Sequence, residues 1–394
     1  MIWHIDKDKF FYWILGITAA SIALPANDLS SATIILLFVF WLFYNSWNEK
    51  FQILKGNLKL FLVLCIPFFI QVVGMSYSDN FYSSLLMAQL ALPFIVYALT
   101  ISAVHLEKKT FHFVMYNFVF GTLVASWMGL GKAIYYKMYD LGDYFFYSRF
   151  SELLGKHTTS FSLFIVISIL FLFYEGIKKH LHWKLIVPVV LYFVVILYFI
   201  STRISIVALS LGFVILFIAE LKGKLKWLGI VLSFLVVGIF ALPNFQKRFE
   251  PSGTEKGDIS DLDFRKLHWK SVWETIEHQP LVLGAGPGSN RDYLYNRYRH
   301  YELTSAYELN YNAHNQALDY MLDFGMTGLV AFIFMMVYLG YYLLKQRNGI
   351  GLAIFAMIIT YCITESLFRS QSGVVTFSLI MTLLLVCNPD REKS

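Results

Sequence analysis

Long apolar runs, separated by short charged or polar breaks, recur from residue 10 to residue 388 of this 394-residue chain. A membrane-spanning helix needs about 20 apolar residues, so about twelve such runs use about 240 residues. Charged residues make up only 15% of the chain, against about 25% in soluble domains. The pattern excludes an ordinary soluble enzyme and predicts an all-α integral membrane protein with about twelve transmembrane helices.

The predicted spans follow the apolar runs and end at charged residues. They are residues 10–26, 30–47, 60–75, 81–104, 111–131, 157–175, 185–201, 204–220, 227–243, 325–344, 350–364 and 373–388. The first run lacks a small-residue cleavage site, so we expect a retained span rather than a cleaved signal peptide. Cys65, Cys362 and Cys387 lie in or beside these runs without disulfide or metal spacing, so we expect them to pack as apolar residues.

Basic residues collect in alternate short loops, and this predicts the orientation of the chain. The richer set contains Lys7, Lys9, Lys50, Lys55, Lys59, Lys108, Lys109, Lys178, Lys179, Lys184, Lys222, Lys224, Lys226, Lys345, Arg347, Arg391 and Lys393. Cytoplasmic loops are the ones enriched in Lys and Arg. We therefore expect spans one to nine in 1–243, a long outer loop in 244–315, and spans ten to twelve with a cytoplasmic tail in 316–394.

The long loop contains a predicted amphipathic helix over residues 264–276. Arg265, Trp269, Val272, Trp273 and Ile276 recur at helical spacing and share one face. Arg265 lies in the first turn, where the helix dipole favours a bound anion. The alternative, that Arg265 snorkels or pairs with Asp261 or Asp263, remains open.

Other loop motifs have simpler explanations. The glycines from Gly284 to Gly288 follow Pro280 without the Lys-Ser/Thr of a P-loop, which favours a tight turn over a nucleotide site. Helix capping explains Asp261 and Asp263 better than metal binding does. The loop histidines show no metal-ligand spacing, so we expect no metal; they are His268, His278, His300 and His314.

Several polar residues flank the predicted spans at the outer surface. His314, followed by Asn315, is either a general base near neutral pH or an interfacial hydrogen-bonding residue. Arg203 lies in a polar break between two apolar runs, where it either pairs with Glu365 or awaits an anionic headgroup. The remaining candidates are Arg149, His157 and Arg369, of which His157 has helix capping as its simpler explanation.

Four stretches together resemble the O-antigen ligase/polymerase family of bacterial envelope glycosyltransferases. They are Ser201-Thr202-Arg203, Arg265 with Trp269 and Pro280 to Gly288, Ala313-His314-Asn315 with Leu318 and Gly325, and Glu365 to Gly373. The resemblance covers residues ~200–375, whereas the first half matches only in hydropathy. The family's Ser-Arg motif commonly continues with Gly-Ala; here Thr202 precedes Arg203 and Ile204 follows it, although we expect the arginine to keep its role.

The resemblance implies a type C, metal-independent glycosyltransferase without a cofactor, in the bacterial inner membrane and with a periplasmic long loop. Such an enzyme transfers a glycan from undecaprenyl pyrophosphate to a sugar hydroxyl with inversion; no nucleic acid is involved. His314 would be the base, and Arg203 and Arg265 would bind pyrophosphate. Further substrate-binding candidates are Asn315, Glu365, Arg369, Arg149 and His157, and aromatic residues that could stack on sugars are Trp269, Trp273, Tyr293, Tyr295, Tyr298 and Tyr301.

Three functions remain open. A ligase, which the motifs favour slightly, would use lipid A–core as acceptor, and a polymerase would use another lipid-linked repeat unit. The alternative from another class is a transporter of lipid-linked oligosaccharides. Transporters tend to show inverted repeats and midplane sites, whereas here the polar residues gather at one surface and no internal repeat is evident.

Overall fold

The computed structural model of the chain describes residues 6–25, 27–238 and 261–390, in which every regular element is helical. In chain order the α-helices are α1 (Lys7–Ser21), α2 (Asn27–Tyr44), α3 (Trp47–Gly56), α4 (Leu58–Leu64), α5 (Ile66–Met75), α6 (Phe81–Leu90), α7 (Leu92–Ser102), α8 (Lys108–Met138), α9 (Ser148–Glu152), α10 (Thr158–Ile177), α11 (Trp183–Ile200), α12 (Arg203–Glu220), α13 (Trp227–Gly238), α14 (Asp261–Glu277), α15 (Arg291–His300), α16 (Thr304–Glu308), α17 (Gln316–Lys345), α18 (Gly349–Thr364) and α19 (Gln371–Cys387). The all-α prediction is confirmed for these residues. The end of the ninth predicted span and the first part of the long loop lie outside them.

Each predicted apolar run, where described, falls on a helix, but the helices differ in length. Six are long and apolar enough to cross a membrane: Phe81–Ser102, Lys108–Met138, Thr158–Ile177, Trp183–Ile200, Arg203–Glu220 and Gln316–Lys345. The number rises to eight if α2 with α3, bent by 111°, and α4 with α5, bent by 51°, each form one span. The apolar helices α18 and α19 are shorter than a full span. The helices therefore support a multi-pass membrane bundle, and the number of twelve crossings stays a prediction.

The bundle is built around α10, most of whose residues are buried. By contrast, α17 turns one apolar face outward: Val330, Ile333, Phe334, Val337 and Tyr341 are each about half exposed or more. An exposed apolar stripe of this kind is stable when it faces lipid rather than water. The three cysteines are buried and unpaired, as the sequence predicts.

Helices α12 and α18 pack antiparallel, and their register places two candidate residues at the same end of the bundle. Gly212 lies against Met357, and Gly349 lies against Glu220 at the other end of the pair. The same register brings Arg203, the first residue of α12, level with the end of α18. Glu365 follows that end directly.

The glycine-rich segment after Pro280 forms a turn that docks on a break in α17, as the sequence predicts. Gly325 has φ +60°, which interrupts the helical hydrogen bonds of α17. The freed amides of Met326 and Thr327 donate to the carbonyl oxygens of Leu281 and Val282. The amide of Gly286 donates in turn to the carbonyl of Asp323 at 2.8 Å. Since this amide already has a partner within the protein, the turn positions α17 rather than binding phosphate.

A buried ion-pair network ties α17 to the short 3-10 turn Leu367–Arg369. The guanidinium of Arg369 contacts Asp319 through Nε at 2.6 Å and Asp323 through Nη2 at 2.5 Å. Asn290 donates to the other oxygen of Asp323 at 2.9 Å. All three ionised side chains are nearly fully buried, so the network holds the start of α17 in place before its break at Gly325.

Candidate functional site

A cavity of about 640 Å³ opens at the end of the bundle where α10 begins and α18 ends. Four segments line it, and we call it the His314 cavity. They contribute Tyr147, Ser148, Ser151, Glu152, Lys156, His157, Thr158 and Thr159; Phe264, His268 and Trp269; Leu309, Asn310, Tyr311, Asn312 and His314; and Glu365. It therefore combines three predicted site residues, His157, His314 and Glu365, that lie far apart in the chain.

His314 has an unusual backbone conformation two residues before the start of α17. Its φ is +44°, in the left-handed region that non-glycine residues rarely adopt, and its amide donates to Asn312 Oδ1 at 2.9 Å. Its Nδ1 lies 3.1 Å from a carboxylate oxygen of Glu365. A carboxylate in this position favours the tautomer with the proton on Nδ1 and leaves Nε2 with a free lone pair. Among the described residues, that buried Nε2 has no hydrogen-bond partner.

One tyrosine and a second histidine pack against the His314 ring. The His268 ring lies 5.3 Å from it, and the Tyr311 ring lies 5.0 Å from it, edge to face. His268 is buried and its Nε2 is 2.9 Å from the hydroxyl of Tyr298, whose pKa burial raises well above its usual range. Sequence reasoning missed His268 and Tyr311 as cavity residues. The helical spacing of Phe264 and His268 on α14 was the available signal.

Lys156 and His157 form the floor of the cavity beside α10, and burial shifts both side chains toward their neutral forms. It lowers the pKa of Lys156 to about 8. Burial also lowers the pKa of His157 below its usual value, although the carboxylate of Glu365 acts in the opposite direction. The Nδ1 of His157 contacts Thr159 Oγ1 at 2.6 Å, so the side chain of this histidine is also hydrogen-bonded to the first turn of α10. Lys156 was not a candidate from the sequence.

The two predicted pyrophosphate arginines lie near the N-terminal ends of α12 and α14. Arg203 begins α12 two residues after Ser201, which has φ +50°, and it is half-buried. Because α14 starts at Asp261, earlier than predicted, Arg265 follows the first turn instead of lying in it. It stands between Phe264 and His268 of the cavity wall, and its side chain is outside the described part of the structure. Glu365, the acid offered by the sequence as a partner for Arg203, contacts His314.

Three further candidates have structural roles outside the His314 cavity. Asn315 caps α17 by accepting from the amide of Leu318, and its Nδ2 donates to the carbonyl of Ile363. Arg369 is enclosed by its two aspartates. Arg149 is exposed and donates to the carbonyl of Asp143 at 3.3 Å. In these three cases the side chain makes hydrogen bonds or ion pairs within the protein.

The predicted helix of the long loop is present as α14, but one residue of its apolar face is misassigned. Val272 and Ile276 are buried, whereas Trp273 is 47% exposed and donates to Glu277 at 2.8 Å. An exposed indole can make this bond on the helix surface, so periodicity alone overstated its burial. Among the predicted sugar-stacking residues only Trp269 lines the His314 cavity; Tyr293 is exposed, Tyr298 is buried, Tyr301 bonds Glu274, and Tyr295 lines a separate space.

That separate space is a smaller cavity of about 180 Å³ on the other side of Asn310–Asn312. Asn290, Asp319 and Arg369 are among its lining residues. These three residues belong to the ion-pair network described above. Residues 310–312 line both this cavity and the His314 cavity.

Comparison with known proteins identifies the stretch that carries these residues. Residues 188–333, from α11 into α17, match the Wzy_C family model, described as O-antigen ligase. No curated protein matches the chain. The matched stretch contains Arg203, Arg265 and His314, whereas Lys156, His157 and Glu365 lie outside it. This stretch of the all-helical apolar bundle is therefore similar to the O-antigen ligase family.

Proposed function

We propose that the protein is an O-antigen ligase that transfers a glycan from undecaprenyl pyrophosphate to a sugar hydroxyl of lipid A–core. The reaction takes place in the His314 cavity, at the end of the bundle that the loop charges predict to be periplasmic. The acceptor oxygen attacks the anomeric carbon, the bond to the pyrophosphate oxygen breaks, and the configuration inverts. The lipid pyrophosphate leaves with its electron pair and needs no protonation.

The observation that carries this proposal is the environment of His314. A general base must have a lone pair directed at its substrate, held by a partner on the opposite ring nitrogen. Glu365 supplies that partner 3.1 Å from Nδ1, and the buried Nε2 has no partner within the described ranges. His314 lines a cavity large enough for sugar residues. The acceptor proton therefore moves to Nε2 of His314, while Glu365 stabilises the imidazolium that forms.

The leaving group is supported by positive charge at the same end of the bundle. Arg203 begins α12, Arg265 is the fifth residue of α14, and Lys156 lies in the cavity wall. Guanidinium groups bind phosphate oxygens in bidentate fashion, and helix starts add the partial positive charge of unpaired amides. This set of groups stabilises a diphosphate without requiring a metal ion.

Arg203→Ala and Arg265→Ala should each lower transfer by about 10²–10³-fold, the usual effect of removing one donor to a developing negative charge. Transfer is measured with purified protein in liposomes that contain a lipid-linked glycan donor and an acceptor. Arg299→Ala is the matched control, because Arg299 is exposed and contacts Tyr307 rather than the cavity. Unchanged rates in both variants would remove the arginines from the site.

Donor affinity should weaken about tenfold as the pH rises from 7 to 9.5, because Lys156 loses its charge near its lowered pKa of about 8 and with it a charge-assisted hydrogen bond. Lys156→Arg should bind the donor with no such change, since arginine stays charged throughout this range. Donor dissociation constants are measured at several pH values for both proteins. An identical pH dependence in the two would show that Lys156 does not contact the donor.

The ligase and polymerase functions can be distinguished by analysing the glycans of a strain that lacks this protein. Loss of a ligase leaves bare lipid A–core and accumulated long lipid-linked chains. Loss of a polymerase leaves core capped with a single repeat unit, and this second result would contradict the ligase proposal while keeping the donor and the cavity.

A further inference from the structure

Two histidines and a glutamate meet at the opposite end of α10 from the His314 cavity. Glu175 lies in the last turn of α10, seventeen residues after Thr158 and thus about 25 Å along a helix that rises 1.5 Å per residue. His112 comes from α8, and His180 from the turn after α10. We call these three residues the His112 cluster. It plays no part in the proposed transfer reaction.

The cluster has the geometry of a metal site. One ligand atom from each side chain lies within 4.8 Å of the other two. The two oxygens of Glu175 face Nδ1 of His112 at 2.8 Å and Nδ1 of His180 at 3.4 Å. Ligand atoms around a tetrahedral zinc ion are about 3.3–3.6 Å apart, as bond lengths of about 2.0–2.2 Å require. Small side-chain rotations suffice to admit the ion.

The backbone presets the position of His180. Lys179 has φ +60°, and the amides of His180 and Leu181 both donate to the carbonyl of Glu175, which folds the chain back over the end of α10. This cap places the ring of His180 4.8 Å from the ring of His112, edge to face. A site whose ligands are already ordered binds a metal without an additional entropy cost for folding the turn.

The surroundings support a metal ion and leave a coordination position open. The hydroxyl of Tyr116 donates to Glu175 and so orients the carboxylate, as hydrogen bonds to ligand side chains do in metal sites. Lys178, which directly follows α10, pairs with Glu220 at 2.7 Å and with Asp390 at 2.8 Å. Glu175 is fully buried, whereas the side chain of His180 is 47% exposed, so solvent can supply a fourth ligand.

We propose that His112, Glu175 and His180 bind one divalent transition-metal ion of the zinc class, at the end of the bundle predicted to face the cytoplasm. Two imidazole nitrogens with one carboxylate oxygen suit zinc, whereas calcium and magnesium prefer all-oxygen ligands. The bound ion would clamp α8 to the cap of α10. The proposal differs from our expectation of no metal because that expectation considered only the histidines of the long loop.

The test uses full-length, tag-free protein in detergent, titrated with Zn²⁺ against a coloured chelator. We expect one ion per chain with micromolar or tighter affinity, and at least a tenfold loss of affinity in His112→Ala and in His180→Ala. His105→Ala and His182→Ala are the controls, because both histidines are exposed, lie close in sequence to the cluster and do not belong to it. They should bind zinc as the parent protein does.

A second readout separates metal binding from damage to the fold. Zinc should raise the midpoint of thermal unfolding of the parent and of both controls, but not of His180→Ala, whose exposed side chain can be removed with little loss of packing. Absence of stoichiometric zinc, or equal zinc affinity in the cluster variants and the parent, would overturn the proposal. The two histidines would then serve only as hydrogen-bond partners of the buried Glu175.

Discussion

Replacement of His314 by alanine is expected to lower glycan transfer by about 10²–10⁴-fold, the range that positioned general bases contribute. The acceptor hydroxyl has a high pKa, so without Nε2 its proton has no nearby base. The initial rate is measured in the reconstituted transfer assay, with protein amount and donor binding determined in parallel. Donor binding should change little, because the pyrophosphate contacts come from the cationic side chains.

The matched control for this variant is His300→Ala, which removes an exposed imidazole from the same loop. It should transfer at the parent rate. Glu365→Gln supplies a graded comparison: the amide keeps the shape of the contact to Nδ1 but cannot stabilise an imidazolium, so the turnover number should fall while the Michaelis constant for the donor stays constant. If His314→Ala retains more than a tenth of the parent rate, the proton leaves by another route and the assignment of His314 is wrong.

Arg369→Met should lower the free energy of unfolding by about 3–5 kcal/mol, the typical cost of removing one partner from a buried ion pair. The substitution leaves Asp319 and Asp323 buried without their shared cation. Thermal unfolding in detergent is the measurement, and Arg299→Met, at an exposed site, is the control. Wild-type stability in the Arg369 variant would show that the aspartates are held by other contacts.

A compensating variant distinguishes charge from packing in this network. Asp319→Asn and Asp323→Asn added to Arg369→Met remove the uncompensated negative charges, so the triple variant should recover part of the lost stability. Recovery would attribute the effect to electrostatics. If the triple variant is less stable than Arg369→Met, the packing of the arginine stem is the larger contribution, because the stem lines the smaller cavity beside Asn290.

Sequence patterns were reliable wherever one local rule dominates. Apolar runs predicted the helices, and Pro280 with the glycines that follow it predicted the turn. In both cases the backbone geometry depends on residues that are close in sequence. The same reasoning failed for Trp273, since a tryptophan at helical spacing can lie at the edge of an apolar face and bond to Glu277. The number of membrane crossings could not be predicted from local patterns either. An apolar run can form two helices with a bend between them, as α2 and α3 do, or a helix shorter than a full span.

Candidate site residues divide along the same line. The sequence by itself determined an all-helical apolar bundle and a family resemblance, and it offered His314 as a candidate residue next to the start of a helix. Only the tertiary structure decided that Glu365 faces His314 and that Arg369 is occupied by Asp319 and Asp323. It also added Lys156 and His268 to the cavity. Partner choice among charged side chains depends on distances of a few ångströms between helices far apart in sequence, whereas helix formation depends on residues three or four positions apart.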